Sequence, residues 1–495
     1  MKGPNPACPW DKVPPEDTMF VLVTGANSGI GFGICARLID EYLTTRSLTS
    51  HLVIIPTTRS VKKSRETVDA LRKHTREFAD KSPALRNRGG PKYDPRDTTH
   101  RVHILSIQLD LCNLLSIRAA ARQLISGTIQ AFPNSNPDDE AHFDNLGEVR
   151  IPRLDSVIFN AGIGGWYGLK WGKLFHNMFT AGLINMTTWP TFKGGMTGLL
   201  VDPIHGSKGE SSNPRIGEVF CANVFGHYVF ARHLVPLLSR QPSSSTSLPP
   251  GRIIWESSVE GVWHNLSLDD FEGVKTEEAY ESTKRLTDIL ALTSTLPSTR
   301  PYVQRYLGLP LPDSASSTTA SSSDTATPTP PKIYLVHPGV VQTTLFPLTT
   351  LFWFAYKLLL LIVRWLGSPW HPITAYNGAC APVWVALQEQ EWLDAAKAER
   401  VKWGSSTDVW GNCRVKKTEV DGWGWEGKVE DLGSAKGEER QKLSGRRPGA
   451  KDVTEARLVE FEELGVVCWK RMEELRERWE ERAEAAEKAG VPARA

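Results

Sequence analysis

Short apolar runs closed by turn residues, each followed by a helix-spaced stretch, recur through the first two thirds of the chain. Residues 19–23 (MFVLV) form the first run, and helical spacing through Ile34, Leu38 and Leu43 follows it. Residues 51–56 form the second, ending in Thr57-Thr58-Arg59, with helical spacing over 64–78. Residues 102–107, 154–159, 252–255 and 332–336 read as further strands, and 219–238 as an amphipathic helix. A parallel strand pair needs a crossover, normally a helix, between its members. The rhythm therefore predicts an α/β domain: a doubly wound parallel sheet covered on both faces.

Several stretches break the rhythm. Residues 81–99, 132–150 and 165–215 read as insertions, 243–250 as a linker, and the Ser/Thr/Pro run at 311–331 as disordered, because it has too little apolar surface to fold. The α/β domain is assigned to 16–345. Residues 345–367 form the most apolar segment, which fits a monotopic interfacial helix, a spanning helix or a buried lid. Lys357 and Arg364 weigh against spanning, and Trp353, Tyr356 and Trp365 suit a helix lying in the interface. Residues 368–412 read as a substrate-side extension. Residues 413–495 read as a polar linker and a charged C-terminal helix, solvated and stiffened by Glu/Arg pairs.

Charge and cysteine content narrow the class. The 58 basic and 56 acidic residues leave a net charge of +2, so nothing global points to nucleic acid. Seven scattered cysteines without a CxxC argue against a disulfide framework or zinc site, and no metal is expected. The first 15 residues carry no signal-type apolar core.

The chemistry sits at the turns. Residues 24–31 read TGANSGIG between strand and helix, where a dinucleotide lands. Gly25 and Gly29 remove Cβ atoms from the path of a pyrophosphate, Gly31 lets helix and strand pack closely, and the helix N-terminus faces the phosphates. This makes the sheet Rossmann-type. Later, Tyr280 and Lys284 share one helix face, where an ammonium lowers a phenol's pKa and so primes proton transfer to a carbonyl. Strand five ends at Glu256-Ser257-Ser258, and Ser258 is the choice for polarising that carbonyl, with Ser257 the near alternative. Asn223 is a candidate for a water or backbone contact linking Lys284 to solvent.

In this order, TGANSGIG, Asp110-Leu111, Asn160-Ala161-Gly162, Asn223, Ser258, Tyr280/Lys284 and His337-Pro338-Gly339 resemble the short-chain dehydrogenases/reductases. Residues 220–228 (FCANVFGHY), 265–271 (NLSLDDF), 280–285 and 375–379 (AYNGA) are similar to the fungal 3-keto-steroid reductases of sterol C-4 demethylation, in ergosterol biosynthesis. The resemblance implies that Ser28, Ile30 and the glycines hold the cofactor's phosphates, that Asp110 lies at the adenine and Asn160 at the ribose, and that Tyr280 and Lys284 contact the nicotinamide ribose. Val340 and Thr343 would close over the carboxamide. Thr58, Arg59 and Lys63 stand where an acidic residue would select NAD, and cations there suit a 2′-phosphate, so NADPH is implied. Ser258 precedes Tyr280 by 22 residues, whereas the family spacing is about a dozen, so Ser267 is a rival.

The implied activity is reduction of a sterol 3-ketone to the 3β-alcohol at the endoplasmic reticulum or lipid-droplet surface. A membrane surface and other C-4 demethylation enzymes are the expected partners. The alternatives are a retinoid or 17β-hydroxysteroid dehydrogenase, or a non-catalytic NADP-binding scaffold.

Overall fold

The computed structural model describes residues 8–135, 137–205, 213–241, 248–309, 328–343, 350–429 and 444–493. The strands are β1 (Thr18–Val23), β2 (His51–Thr58), β3 (Val102–Ile104), β4 (Ile107–Gln108), β5 (Ser156–Phe159), β6 (Trp166–Leu169), β7 (Lys193–Gly195), β8 (Arg252–Glu256), β9 (Lys332–His337), β10 (Lys402–Thr407) and β11 (Cys413–Thr418). The helices are α1 (Gly29–Thr45), α2 (Val61–Lys81), α3 (Leu114–Ile125), α4 (Trp171–Thr180), α5 (Leu183–Thr188), α6 (Gly226–Leu238), α7 (Ala279–Thr293), α8 (Thr350–Trp365), α9 (Cys380–Leu387) and α10 (Glu455–Lys488). A further helix at Arg300–Leu307, short helices, hairpins and turns lie between them.

One nine-stranded sheet runs β11-β10-β9-β8-β5-β1-β2-β3, with β4 beside β2. All pairs in it are parallel except β10 with β11. Alternation along β1 divides the core: Phe20 and Leu22 face α3, α6 and α7, while Val21 and Val23 face α1 and α9. Strands β1, β2, β5, β8 and β9 are buried on both faces, which is why they read as continuous apolar runs.

Several expectations are corrected. The sheet does not end near residue 345: β10 and β11 extend it, so 368–412 and the start of 413–495 belong to the α/β domain. Residues 375–378 pack on α1, where a Cβ on Gly33 would meet the Ala375 carbonyl carbon at 2.6 Å. The 81–99 insertion folds into two short helices, Pro83–Gly89 and Pro95–Thr99, and 165–215 carries β6, β7, α4 and α5. The stretch predicted as disordered lies outside the described residues except for 328–331, where Thr329 exchanges two backbone hydrogen bonds with Arg240.

The C-terminal helix is not solvated. Phe461, Cys468, Trp469, Met472 and Ala483 of α10 are fully buried in the main core. The Trp469 indole N–H donates to Thr293 Oγ1 (3.2 Å), and the Tyr228 hydroxyl donates to Glu473 (2.7 Å), which also pairs with Arg476.

In the apolar segment, residues 344–349 lie outside the described residues, and α8 begins at Thr350. Among the described residues no helix is long and apolar enough to cross a membrane. Phe354, Leu358, Ile362 and Trp365 are exposed, whereas Leu360 and Val363 are buried, so α8 has one anchored and one open apolar face.

Candidate active site

The carboxyl ends of β1, β5, β8 and β9 bring the motif residues to one edge of the sheet. Gly25, at φ +66°, could not carry a side chain: a Cβ would lie 2.8 Å from Ala161 Cβ. On Gly31 it would lie 2.6 Å from Asn160 Nδ2, which itself donates to the Thr24 carbonyl (2.9 Å). Gly29, at φ +55°, differs: its Cβ position is open, with Thr343 Cγ2 the nearest atom at 3.9 Å. Ser28 supplies no side-chain cap to α1. An open glycine at an uncapped helix start, faced by Thr343 across a gap, fits a dinucleotide's phosphates. Ile30 occupies the first turn of α1, and the 340–343 loop is tied down by Val340 N–H to the Trp370 carbonyl (2.7 Å).

At the ribose end, Arg59 and Lys63 are exposed. Thr58 is not free to join them, because its hydroxyl bonds the Ser60 carbonyl and Ser64 Oγ, both at 2.9 Å. Asp110 Oδ1 accepts from Cys112 N–H (3.0 Å), shaping the turn into α3.

The three serines separate cleanly. Ser257 turns into the core, its hydroxyl on Asp288 (2.5 Å) and the Lys284 carbonyl. Ser267 accepts from Asp269 N–H (3.3 Å) at a short helical turn. Ser258 stands beside the Tyr280 phenol and favours its ionised form, and its hydroxyl accepts from Glu260 N–H (3.3 Å). The two 3₁₀ turns at Trp263–Asn265 and Leu268–Asp270 occupy the long spacer between them.

The Tyr280 phenol is raised overall, not lowered as its spacing from Lys284 suggested. Burial pushes the Tyr280 phenol well up, Glu260 adds to the rise, and Ser258 opposes it. The Lys284 ammonium lies 5.4 Å from the Tyr280 ring centroid and donates instead to the Glu256 carbonyl (2.8 Å). Burial pulls Lys284 below the ordinary lysine range, and the Glu256 carboxyl opposes that pull. Glu256 itself is pushed up by burial, and neither of its carboxyl oxygens has a hydrogen-bond partner. The sequence reading missed this residue, although a carboxylate closing the run Arg252-Ile253-Ile254-Trp255 was its visible signal.

Asn223 sits in a π-helical segment, Cys221–Phe225, between β5 and α6. Such bulges cluster at functional sites. Its amide takes a hydrogen bond from Ile163 N–H (2.8 Å) and gives them to the Ile163 carbonyl (3.0 Å) and Thr283 Oγ1 (3.2 Å). Its contact is thus with backbone and with the neighbour of Lys284, not with Lys284 itself.

No family model matches the chain. The 3-keto-steroid reductase ERG27 of Gibberella zeae is 49% identical over 477 residues, covering 95% of this chain and 96% of that protein. Its counterpart in Aspergillus fumigatus is 40% identical over 478 residues, with the same coverage of both chains. In Schizosaccharomyces pombe the figure is 27% over 406 residues, 81% of this chain and 90% of the relative. Half the residues shared over nearly the whole of both chains, with the serine, tyrosine and lysine brought to one sheet edge, place the chain in the 3-keto-steroid reductase family of oxidoreductases.

Proposed function

We propose that this protein uses NADPH to reduce a sterol 3-ketone to the 3β-alcohol, the ketone-reducing step of sterol C-4 demethylation. The observation that carries the reading is Ser258 beside a buried, protonated Tyr280, one helix turn from Lys284, at the sheet edge that holds the open cradle at Gly29. The relatives, 3-keto-steroid reductases, supply the substrate class. The Gly29 turn, Arg59, Lys63, Asn160 and Thr343 would hold the dinucleotide, which when bound supplies hydride. Ser258 would orient the carbonyl oxygen, and Tyr280 would give it a proton. A phenol raised by burial keeps that proton until the oxygen becomes basic, which suits the reducing direction. Lys284 keeps positive charge beneath the site, and Asn223 braces its helix. Parallel assays with a 4α-methyl-3-keto sterol, a retinal and a 17-keto steroid test the substrate class; preferential turnover of the retinal or the 17-ketone contradicts it.

NADPH preference rests on Arg59 and Lys63. A charged hydrogen bond contributes about 1.5–3 kcal/mol. Arg59→Glu is therefore expected to cut kcat/KM with NADPH by about 10- to 100-fold while sparing NADH. Equal losses with both cofactors contradict the assignment.

Our reading also places the protein on a lipid surface, at the endoplasmic reticulum or a lipid droplet. The support is a doubled apolar face. Trp171, Phe175, Met178 and Phe179 of α4 are exposed, as is the open face of α8, and both helices pack on α5. Neither helix has an acidic residue, whereas the exposed Lys173 and Lys357 supply cations for anionic headgroups. Phe354→Asp with Leu358→Asp is expected to abolish flotation with anionic vesicles and leave turnover in detergent intact. Unchanged flotation contradicts the lipid reading.

A further inference from the structure

The 165–215 insertion reaches the catalytic residues. Its strands β6 and β7 pair antiparallel, Leu169 opposite Lys193, and Gly195 packs so closely on the Glu277 carbonyl that no side chain fits there. The hairpin is thereby pressed onto the start of α7. Two of its side chains cover Tyr280: the Trp166 ring lies edge-on at 4.9 Å, and the Lys193 ammonium lies 4.3 Å from the Trp166 ring centroid and 5.2 Å from that of Tyr280.

Lys193 is 8% exposed and forms ion pairs with both Glu260 and Glu281. Each carboxylate stands next to a residue of the site. Glu260 N–H donates to Ser258 Oγ (3.3 Å), and Glu281 follows Tyr280 on α7. One cation thus bridges the loop that carries Ser258 to the helix turn that carries Tyr280. It also neutralises charge that would otherwise crowd the phenol, since Glu260 and Glu281 both oppose ionisation of Tyr280. The exposed Lys170–Glu277 pair on the same hairpin has no comparable reach and is a weak surface contact.

We propose that Lys193 is a positioning residue for the reductase reaction: through Glu260 and Glu281 it holds the Ser258 hydroxyl against the Tyr280 phenol, and the insertion exists in part to deliver it. The inference rests on the reductase reading of this site and assigns a role to a segment outside its motifs. A lysine buried between two carboxylates could instead be a simple fold brace. The two roles differ in what they change: a brace changes stability, whereas a positioning residue changes kcat at constant cofactor affinity.

The test compares Lys193→Met and Lys193→Arg with wild type for sterol-ketone turnover, NADPH binding by fluorescence, thermal midpoint, and hydrogen–deuterium exchange over residues 257–262 and 278–283. Lys193→Met is expected to lower kcat about 100-fold, leave the NADPH Kd unchanged and raise exchange in both segments. Lys193→Arg, whose planar fork can bridge two carboxylates, is expected to restore kcat to within about fivefold. Wild-type kcat in Lys193→Met, or a loss that Arg does not rescue, overturns the proposal. Should Lys193→Met not fold, Glu281→Gln releases only the Tyr280 side: lowered kcat with raised exchange over 278–283 supports the bridge, and wild-type values overturn it. Failure of the reductase reading would appear in the wild type, as NADPH binding without turnover. The exchange comparison needs no substrate and decides the bridge separately.

Discussion

Tyr280→Phe is expected to lower sterol-ketone turnover by about 10³- to 10⁴-fold while leaving NADPH binding within about threefold of wild type, because the change removes one oxygen and the proton it carries. The phenol lies against Ser258 and under Trp166, and the lost hydroxyl leaves a ring that still fills its place. Steady-state kinetics with a binding titration separates the two effects. A drop in cofactor affinity as large as the drop in kcat would make Tyr280 a binding residue and would contradict its role as proton donor. Ser258→Ala is its natural companion, with a smaller loss, since the serine orients the oxygen and gives up no proton.

Trp469→Ala is expected to destabilise the fold by about 3–5 kcal/mol, the usual cost of emptying a large buried aromatic site. Trp469 is 1% exposed, its ring lies 5.4 Å from that of Tyr306 and 5.8 Å from that of Tyr228, and its N–H is held by Thr293 on α7. A urea denaturation midpoint measures the loss. If α10 were a solvated appendage, the change would stay within about 0.5 kcal/mol. The effect would also be felt at the site, because α10 packs on the outer face of the helix that carries Tyr280 and Lys284.

The contrast between these two residues explains what was legible in the sequence. The first strands and the glycine turn announced themselves because buried parallel strands must be apolar on both faces and a phosphate cradle must lack Cβ atoms. Strands β10 and β11 did not, because β10 is polar although buried and β11 is a partly exposed polar edge strand. Ser405 bonds the Gly378 carbonyl and the Ala381 N–H, and Lys402 bonds Asp288 and the Ser258 carbonyl, each through a partner distant in the chain. Helix α10 misled through its many charges, which hide an apolar stripe at Phe461, Cys468, Trp469, Met472 and Trp479.

The site divided in the same way. Tyr280, Lys284 and Ser258 follow from local spacing and strand ends, whereas Lys193 and Glu256 matter only through contacts that no spacing encodes. Glu473, read as one of many surface charges, is a buried acceptor for Tyr228. The pKa expectation failed for a physical reason as well: a helix face brings Lys284 near Tyr280, but burial of the phenol outweighs the ammonium at that distance.

The most direct measurement follows a label. The protein, a 4α-methyl-3-keto sterol in detergent and NADPH carrying deuterium at the transferable position are incubated in ordinary water, and the product alcohol is examined by mass spectrometry. The account predicts a 3β-alcohol with one deuterium at carbon 3 and ordinary hydrogen on the oxygen, formed by wild type and not by Tyr280→Phe. NADPH binding with no alcohol formed, or an alcohol without deuterium at carbon 3, would contradict it.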